Sequence, residues 1–230
     1  MPEKPSSAAI INRLRKIATK HTLEGMTRYG IPNDRAFGVS VKDLQIEARK
    51  IGRNHTLALD LWKTGWYEAR MLATFLDEPE RVTPAQMDKW CRDFDSWAIC
   101  DTACFHLFDR TPHAFKKIAQ WATRKEEFVR RAAFALLASV ALHNKKLNDD
   151  VFLECIPLME AASRDERNFV KKGVSWALRS IGRRNKVLHQ ASSALAHKLA
   201  ASEHPTERWV GKDVLRDITR PMVLKRIQGK

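Results

Sequence analysis

Apolar residues recur three and four positions apart along nearly the whole chain, the spacing of helices that each bury one face. Glycine is scarce at nine residues, and prolines fall at the edges of the periodic segments. Strand-type alternation and the Asn-Gly or Asp-Gly turns of hairpins are missing from the sequence. The pattern therefore predicts an all-α protein of about a dozen helices, each roughly ten to sixteen residues long. Some helix starts can be named. Thr83-Pro84 and Thr111-Pro112 place a capping hydroxyl before a proline at the first helical position, and Ser40 with Asp43 resembles a capping box.

The helical pattern repeats. "FVRRAAFALL" begins at Phe128, "FVKKGVSWAL" at Phe169 and "WVGKDVLRDI" at Trp209, so an aromatic-Val-x-basic signature returns after 41 and then 40 residues. Another amphipathic segment precedes each signature, at 112–123, 148–162 and 186–202. Upstream, Trp66 and Trp97 begin similar segments 31 residues apart, so the early repeats are degenerate. A period near 40 built from two helices belongs to HEAT and armadillo arrays. The expected architecture is a superhelical solenoid of helix pairs with a concave inner face. It would occupy residues 1–230 as a single domain, with short tails at about 1–7 and about 221–230.

Charge sharpens this picture. The 41 Lys and Arg against 27 Asp and Glu leave +14. Residues 110–146 hold nine basic and two acidic side chains, and residues 164–186 hold eight and two, so these segments carry +7 and +6. A field concentrated in this way suits a polyanion, DNA or RNA first. An anionic membrane surface fits less well, because the basic residues are laced with Ala, Val and Phe at core spacing. The longest run without charge, residues 132–142, is too short to span a bilayer. The start of the chain, "MPEKPSSAAI", lacks the apolar core of a signal sequence, and the expected location is the cytoplasm. Cys91, Cys100, Cys104 and Cys155 lie in periodic apolar context and are expected to be reduced and buried. No C-x-x-C pair accompanies Cys100, Cys104 and His106, so no metal site is expected.

Repeat register assigns faces. Arg131, Lys172 and Lys212 occupy one position in three successive inner helices and would form a basic ladder, flanked by Arg130, Lys171 and Arg179. Such a ladder is a candidate phosphate track, although a single lysine or arginine there could equally be a solvated edge residue. Trp97 and Asp101 are one turn apart and share a helix face, as do Lys172 and Trp176. Stacked inner helices could bring Trp97, Asp101, Arg131 and Trp176 to one concave patch. A carboxylate between indoles suits a sugar cation forming beside a positively charged, alkylated purine, where it can also activate water. An arginine can hold the neighbouring phosphate. Elsewhere, a Trp on a helix is usually core and an Asp four residues later is usually ion-paired. Trp62, Trp66, Trp90, Trp121 and Trp209 are read as core or rim. His106, His113 and His143 have no nucleophile that spacing nominates, and no Walker, Rossmann or H-E-x-x-H motif occurs.

Through these residues the chain resembles the AlkD-like DNA glycosylases, DNA alkylation repair proteins built from HEAT-like repeats. The likeness runs from "GVSVKDLQIEARKIG" (38–52) to "RWVGKDVLRDI" (208–218). "SWAICD" is similar to the family's Trp-x-x-x-Asp segment, which makes Trp97 the match of an active-site Trp and Asp101 that of the catalytic Asp. "FVRRAAF" is similar to the family's arginine-bearing inner helix, with Arg131 matching the functional Arg, and "FVKKGVSWALRSIG" to the following repeat, where Trp176 matches the second active-site Trp. The resemblance implies excision of cationic N3- and N7-alkylpurines from duplex DNA by a monofunctional glycosylase with no metal or nucleotide cofactor. It also implies a lesion held in the duplex, with the aromatic residues and Asp against the deoxyribose. Where well-known members carry a second Trp and a further acid directly after the matched Trp, this chain has Ala98, Ile99 and Cys100.

Three readings follow. The first is an alkylpurine DNA glycosylase, expected to act as a monomer on double-stranded DNA without a membrane. The second is a non-catalytic HEAT-repeat protein that binds damaged or branched DNA. A scaffold for an acidic protein partner is the third, and it gives no reason for Trp97, Asp101 and Trp176 to converge.

Overall fold

The computed structural model describes residues 5–228. Among them are fifteen α-helices, two short 3-10 turns and no strand. The all-α expectation holds. The chain divides into two compact units, one ending at Thr111 and one starting at Pro112.

The N-terminal unit holds α1 (Ser7–Ile17), α2 (Lys20–Arg28), α3 (Val41–Ile51), α4 (His55–Lys63), α5 (Tyr67–Leu76), α6 (Pro84–Arg92) and α7 (Trp97–His106). Helix α5 is central: it packs against α3, α4 and α7. Its Glu68 is fully buried, and its carboxylate accepts the backbone N–H groups of Phe37, Gly38 and Val39 at 2.7–3.2 Å. Three charge-assisted bonds offset the cost of burying that anion and fix the segment leading into α3. Trp62 and Trp90 stack with ring centroids 3.9 Å apart and join α4 to α6. Both are core, as read from the sequence.

Caps show how well local chemistry sets the helix ends. Ser40 accepts the Asp43 N–H at 3.2 Å and Thr83 accepts that of Gln86 at 3.2 Å. Thr83→Ala is expected to cost about 1 kcal/mol, read from a urea unfolding midpoint, and an unchanged midpoint would remove the cap from the account. Thr111 does not cap. Its hydroxyl donates to the Phe108 carbonyl at 2.8 Å, and α8 begins only at Ala114. The 3-10 turn at Phe108–Arg110 takes up the hydroxyl first.

The C-terminal unit holds α8 (Ala114–Ala122), α9 (Glu127–His143), α10 (Asp150–Leu153), α11 (Ile156–Ala162), α12 (Asn168–Gly182), α13 (Lys186–Ala200), α14 (Pro205–Ile218) and α15 (Pro221–Gln228). Helices α8 and α9 pair, as do α11 with α12 and α13 with α14, while α9, α12 and α14 pack on one another in series. Those three helices carry the three repeat signatures. The segment 148–162, read as one helix, is two: Pro157 lacks the N–H that would bond back to residue 153, so the helix breaks before it. Residues 221–228, read as tail, form α15, with Val223 and Ile227 one turn apart and buried. The other expected tail, 1–7, lies partly outside the described residues. No helix among the described residues is long and apolar enough to cross a membrane.

Candidate functional site

Trp97 opens α7, and its position is fixed from one side. The indole packs against Met26, Ile31 and Ala98, beside Leu23, Ala36 and Tyr67. Its Nε1–H donates to the Tyr29 carbonyl at 2.8 Å. Helix α2 and the turn after it therefore anchor an indole that stays half-buried rather than sealed in core. Asp101 lies one turn further along α7 and is also half-buried. Ala98, Ile99, Cys100, Ala103 and Cys104 of the same helix are buried around them. Trp97 and Asp101 are thus one turn apart on α7, and neither is fully buried.

Backbone acceptors such as the Tyr29 carbonyl leave no trace in a sequence, and the contact spans 68 residues. Tyr29 itself is 68% exposed beside Trp97's anchor point. The thiol chemistry near Asp101 is quiet. Burial pushes the Cys104 thiol well above its usual range, with Cys100 and the Asp101 charge adding to the effect. All four cysteines are buried, and burial lifts Cys155 to about 11. Among the described residues no three His, Cys, Asp or Glu side chains gather where they could hold a metal ion.

In the C-terminal unit, Arg131 and Trp176 stand on packed neighbours, α9 and α12. Arg131 is only 6% exposed. Its Nη1–H donates to the Phe169 carbonyl at 2.6 Å, and its guanidinium carbon sits 6.0 Å from the Phe169 ring centroid. Helix α12 passes close to this side chain: a Cβ at Gly173 would lie 3.6 Å from Arg131 Cγ, an ordinary contact. Trp176 is half-buried, with exposed Lys172 one turn before it. The structure therefore places the quartet as two pairs, one in each unit.

The basic ladder changes in character. Register put Arg131, Lys172 and Lys212 in equivalent positions, but α9 is buried continuously from Arg131 to Ala141, so Arg131 does not extend an exposed row. Lys172 and Lys212 are exposed and have no ionic partner among the described residues. The other candidates are engaged. Arg130 donates to the Ala122 carbonyl and pairs with Asp165, both at 3.0 Å. Burial works against the charge on Asp165, yet hydrogen bonds from Arg167 and the Arg130 charge hold its carboxyl below the usual range. Arg179 donates to the Ser175 carbonyl at 3.3 Å and lies 3.9 Å from Asp213, which also accepts the Ser175 hydroxyl. Lys171 rests over the exposed ring of Trp209, 5.2 Å from its centroid. Such partly exposed pairs are weak and can be exchanged for phosphate contacts.

Chemically, one face of α7 offers a carboxylate beside an indole, and α12 and α14 offer uncommitted ammonium groups with indoles near them. The pattern of the family described as DNA alkylation repair enzyme matches residues 10–208. A solved structure from a family related to the HEAT-like repeat DNA glycosylases, with affinity for branched DNA structures, superposes with a TM-score of 0.77. It shares 15% sequence identity, covering 92% of this chain and 95% of that one. A designed armadillo repeat protein in complex with the peptide (KR)4 aligns at a TM-score of 0.35 and 13% identity, over 82% of this chain and 79% of that one. No curated protein matches the chain by sequence.

Proposed function

From the premise that the chain belongs to the DNA alkylation repair enzyme family, we propose that it is a DNA glycosylase that releases cationic N3- and N7-alkylated purines from duplex DNA. The observation that carries this reading is the shared half-buried face of Trp97 and Asp101 on α7, with the indole tethered to the Tyr29 carbonyl. A carboxylate on a DNA-binding face repels phosphate. It is useful opposite a positive charge that develops only during reaction.

The chemistry needs little more. An alkylated purine bears a positive charge, so when the bond from C1′ to the base nitrogen breaks, its electron pair neutralises the base and leaves an oxocarbenium sugar. The Asp101 carboxylate stabilises that cation and orients a water, accepting a proton as the water oxygen bonds to C1′. The Trp97 ring offers its face to the apolar edge of the deoxyribose and to the cationic base. From the C-terminal unit the reading retains Trp176 as an indole for the DNA. It also retains Arg131, whose hold on Phe169 makes it a positioning group between α9 and α12. Lys172 and Lys212 bind backbone phosphates, and Arg130, Lys171 and Arg179 join them by exchanging their present partners.

The test is release of 7-methylguanine or 3-methyladenine from methylated duplex DNA. Absence of free base at enzyme excess would end the glycosylase reading in favour of the second one, a non-catalytic protein for damaged or branched DNA, which the same surface would serve. In either case Lys172→Ala and Lys212→Ala should each weaken DNA binding and lower the slope of log K against log salt by about 1. Fluorescence anisotropy at several salt concentrations measures this, and unaltered slopes would remove these lysines from the interface.

A further inference from the structure

The N-terminal unit contains a groove of about 390 Å³ at the ends of α3, α5 and α7, lined by Gln45, Ala48, Arg49, Gly52, Arg53, Phe75 and His106. Charge counting along the sequence gives no warning of it, because nearly all the net charge lies beyond residue 110. Folding assembles it instead. Helix α3 ends at Gly52, whose φ of +78° lets the chain reverse without strain and bring Arg53 to the same groove as Arg49. Both arginines are exposed. The His106 ring meets Phe75 edge to face, with centroids 4.9 Å apart, which gives the groove a firm aromatic wall.

We infer that this groove is a binding site for a backbone phosphate of DNA, held by the Arg49 and Arg53 guanidinium groups with the Gln45 amide beside them and Phe75 against the adjoining deoxyribose. The proposal extends the DNA-binding part of the function proposed above to the N-terminal unit. The opposing view is that arginines at helix ends merely answer the partial negative charge of the last carbonyls. Arg53 does so in part, donating to the Asp77 carbonyl. Two observations go beyond that role. Among the described residues no carboxylate lines the groove, and Glu47 pairs with Lys50 and Arg13, Asp77 with His55 and Gln86, and Glu78 with the His55 N–H and Arg81. Arg49 has no partner among the described residues and projects into the groove with its donors available. Donors, excess positive charge and a flat apolar wall are what a nucleotide unit of a DNA strand requires.

The double variant Arg49→Gln/Arg53→Gln tests this with an unmodified short duplex over roughly 50 to 200 mM salt. The expected result is a fall in affinity of about tenfold at the low-salt end and a slope smaller by one to two, with Arg49→Lys/Arg53→Lys close to wild type in slope. Melting temperatures of the three proteins separate loss of the Arg53 bond to the Asp77 carbonyl, which lowers stability, from loss of a phosphate contact, which lowers the salt slope at unchanged fold. Identical slopes for wild type and the Gln variant would overturn the proposal. Base release is a separate readout: wild type that binds with the arginine-dependent slope but frees no base leaves the groove assignment standing and defeats only the glycosylase reading.

Discussion

Asp101→Asn should lower base release by at least about 100-fold while leaving affinity for the same methylated duplex nearly unchanged. General-base and electrostatic contributions of a single carboxylate account for about two to four orders of magnitude in rate, and the amide keeps the shape while losing both the charge and the basicity. If binding rests on phosphate contacts from basic residues elsewhere, as proposed, affinity should change little or rise slightly as one negative charge is removed. Single-turnover base release and anisotropy on the same DNA separate the two effects. Equal rates for wild type and variant would remove Asp101 from the mechanism. A parallel loss of rate and affinity would instead make it a structural residue, and a lowered melting temperature would identify that outcome.

The second large effect concerns packing. Gly211 lies where α14 crosses α13, and a Cβ there would press on the Ala200 amide nitrogen and come within 2.6 Å of the Ala196 carbonyl oxygen and 2.8 Å of Ala200 Cα. These are backbone atoms, which cannot swing aside, so the helices must part. Gly211→Ala should therefore cost about 3 kcal/mol or more despite the roughly 1 kcal/mol that alanine gains in helix propensity. For a chain of this size that is a fall in Tm of roughly 6–12 °C. The comparison is Gly173→Ala on α12, where a Cβ would meet Phe134 Cβ at 3.5 Å, an ordinary contact. That variant should match or slightly exceed wild type. If both variants melted alike, close approach of α13 and α14 would not be what requires glycine at 211.

The contrast between those two glycines illustrates what was legible in the sequence. Periodicity and the 40-residue register identified the three signature helices and their outer partners, because burying one face per helix is a local property of the pattern. Register also named Arg131, Lys172 and Lys212 as equivalent; Arg131 and Lys172 are each the fifth residue of their helices, while Lys212 is the eighth residue of α14. Depth is different. Helix α9 is covered along its length while α12 and α14 keep an open face, so the same position is buried in one repeat and exposed in the next two. Nothing within a 40-residue window records how many neighbours a helix will have. The Tyr29 carbonyl under Trp97 and the groove of Arg49, Arg53 and His106 were invisible for a related reason, being assembled from segments distant in sequence. That Trp97 and Asp101 lie one turn apart on a single helix was legible because four residues is a local spacing.

The buried cysteines bear on survival in the setting where such a protein works. Electrophiles that methylate purine nitrogens also attack sulfur, and they attack the thiolate rather than the thiol. With all four sulfurs covered, Cys104 pushed well up and Cys155 raised to about 11, almost none of either of these two thiols ionises at neutral pH. Sulfur held this way is a poor target for electrophiles of the kind that alkylate DNA.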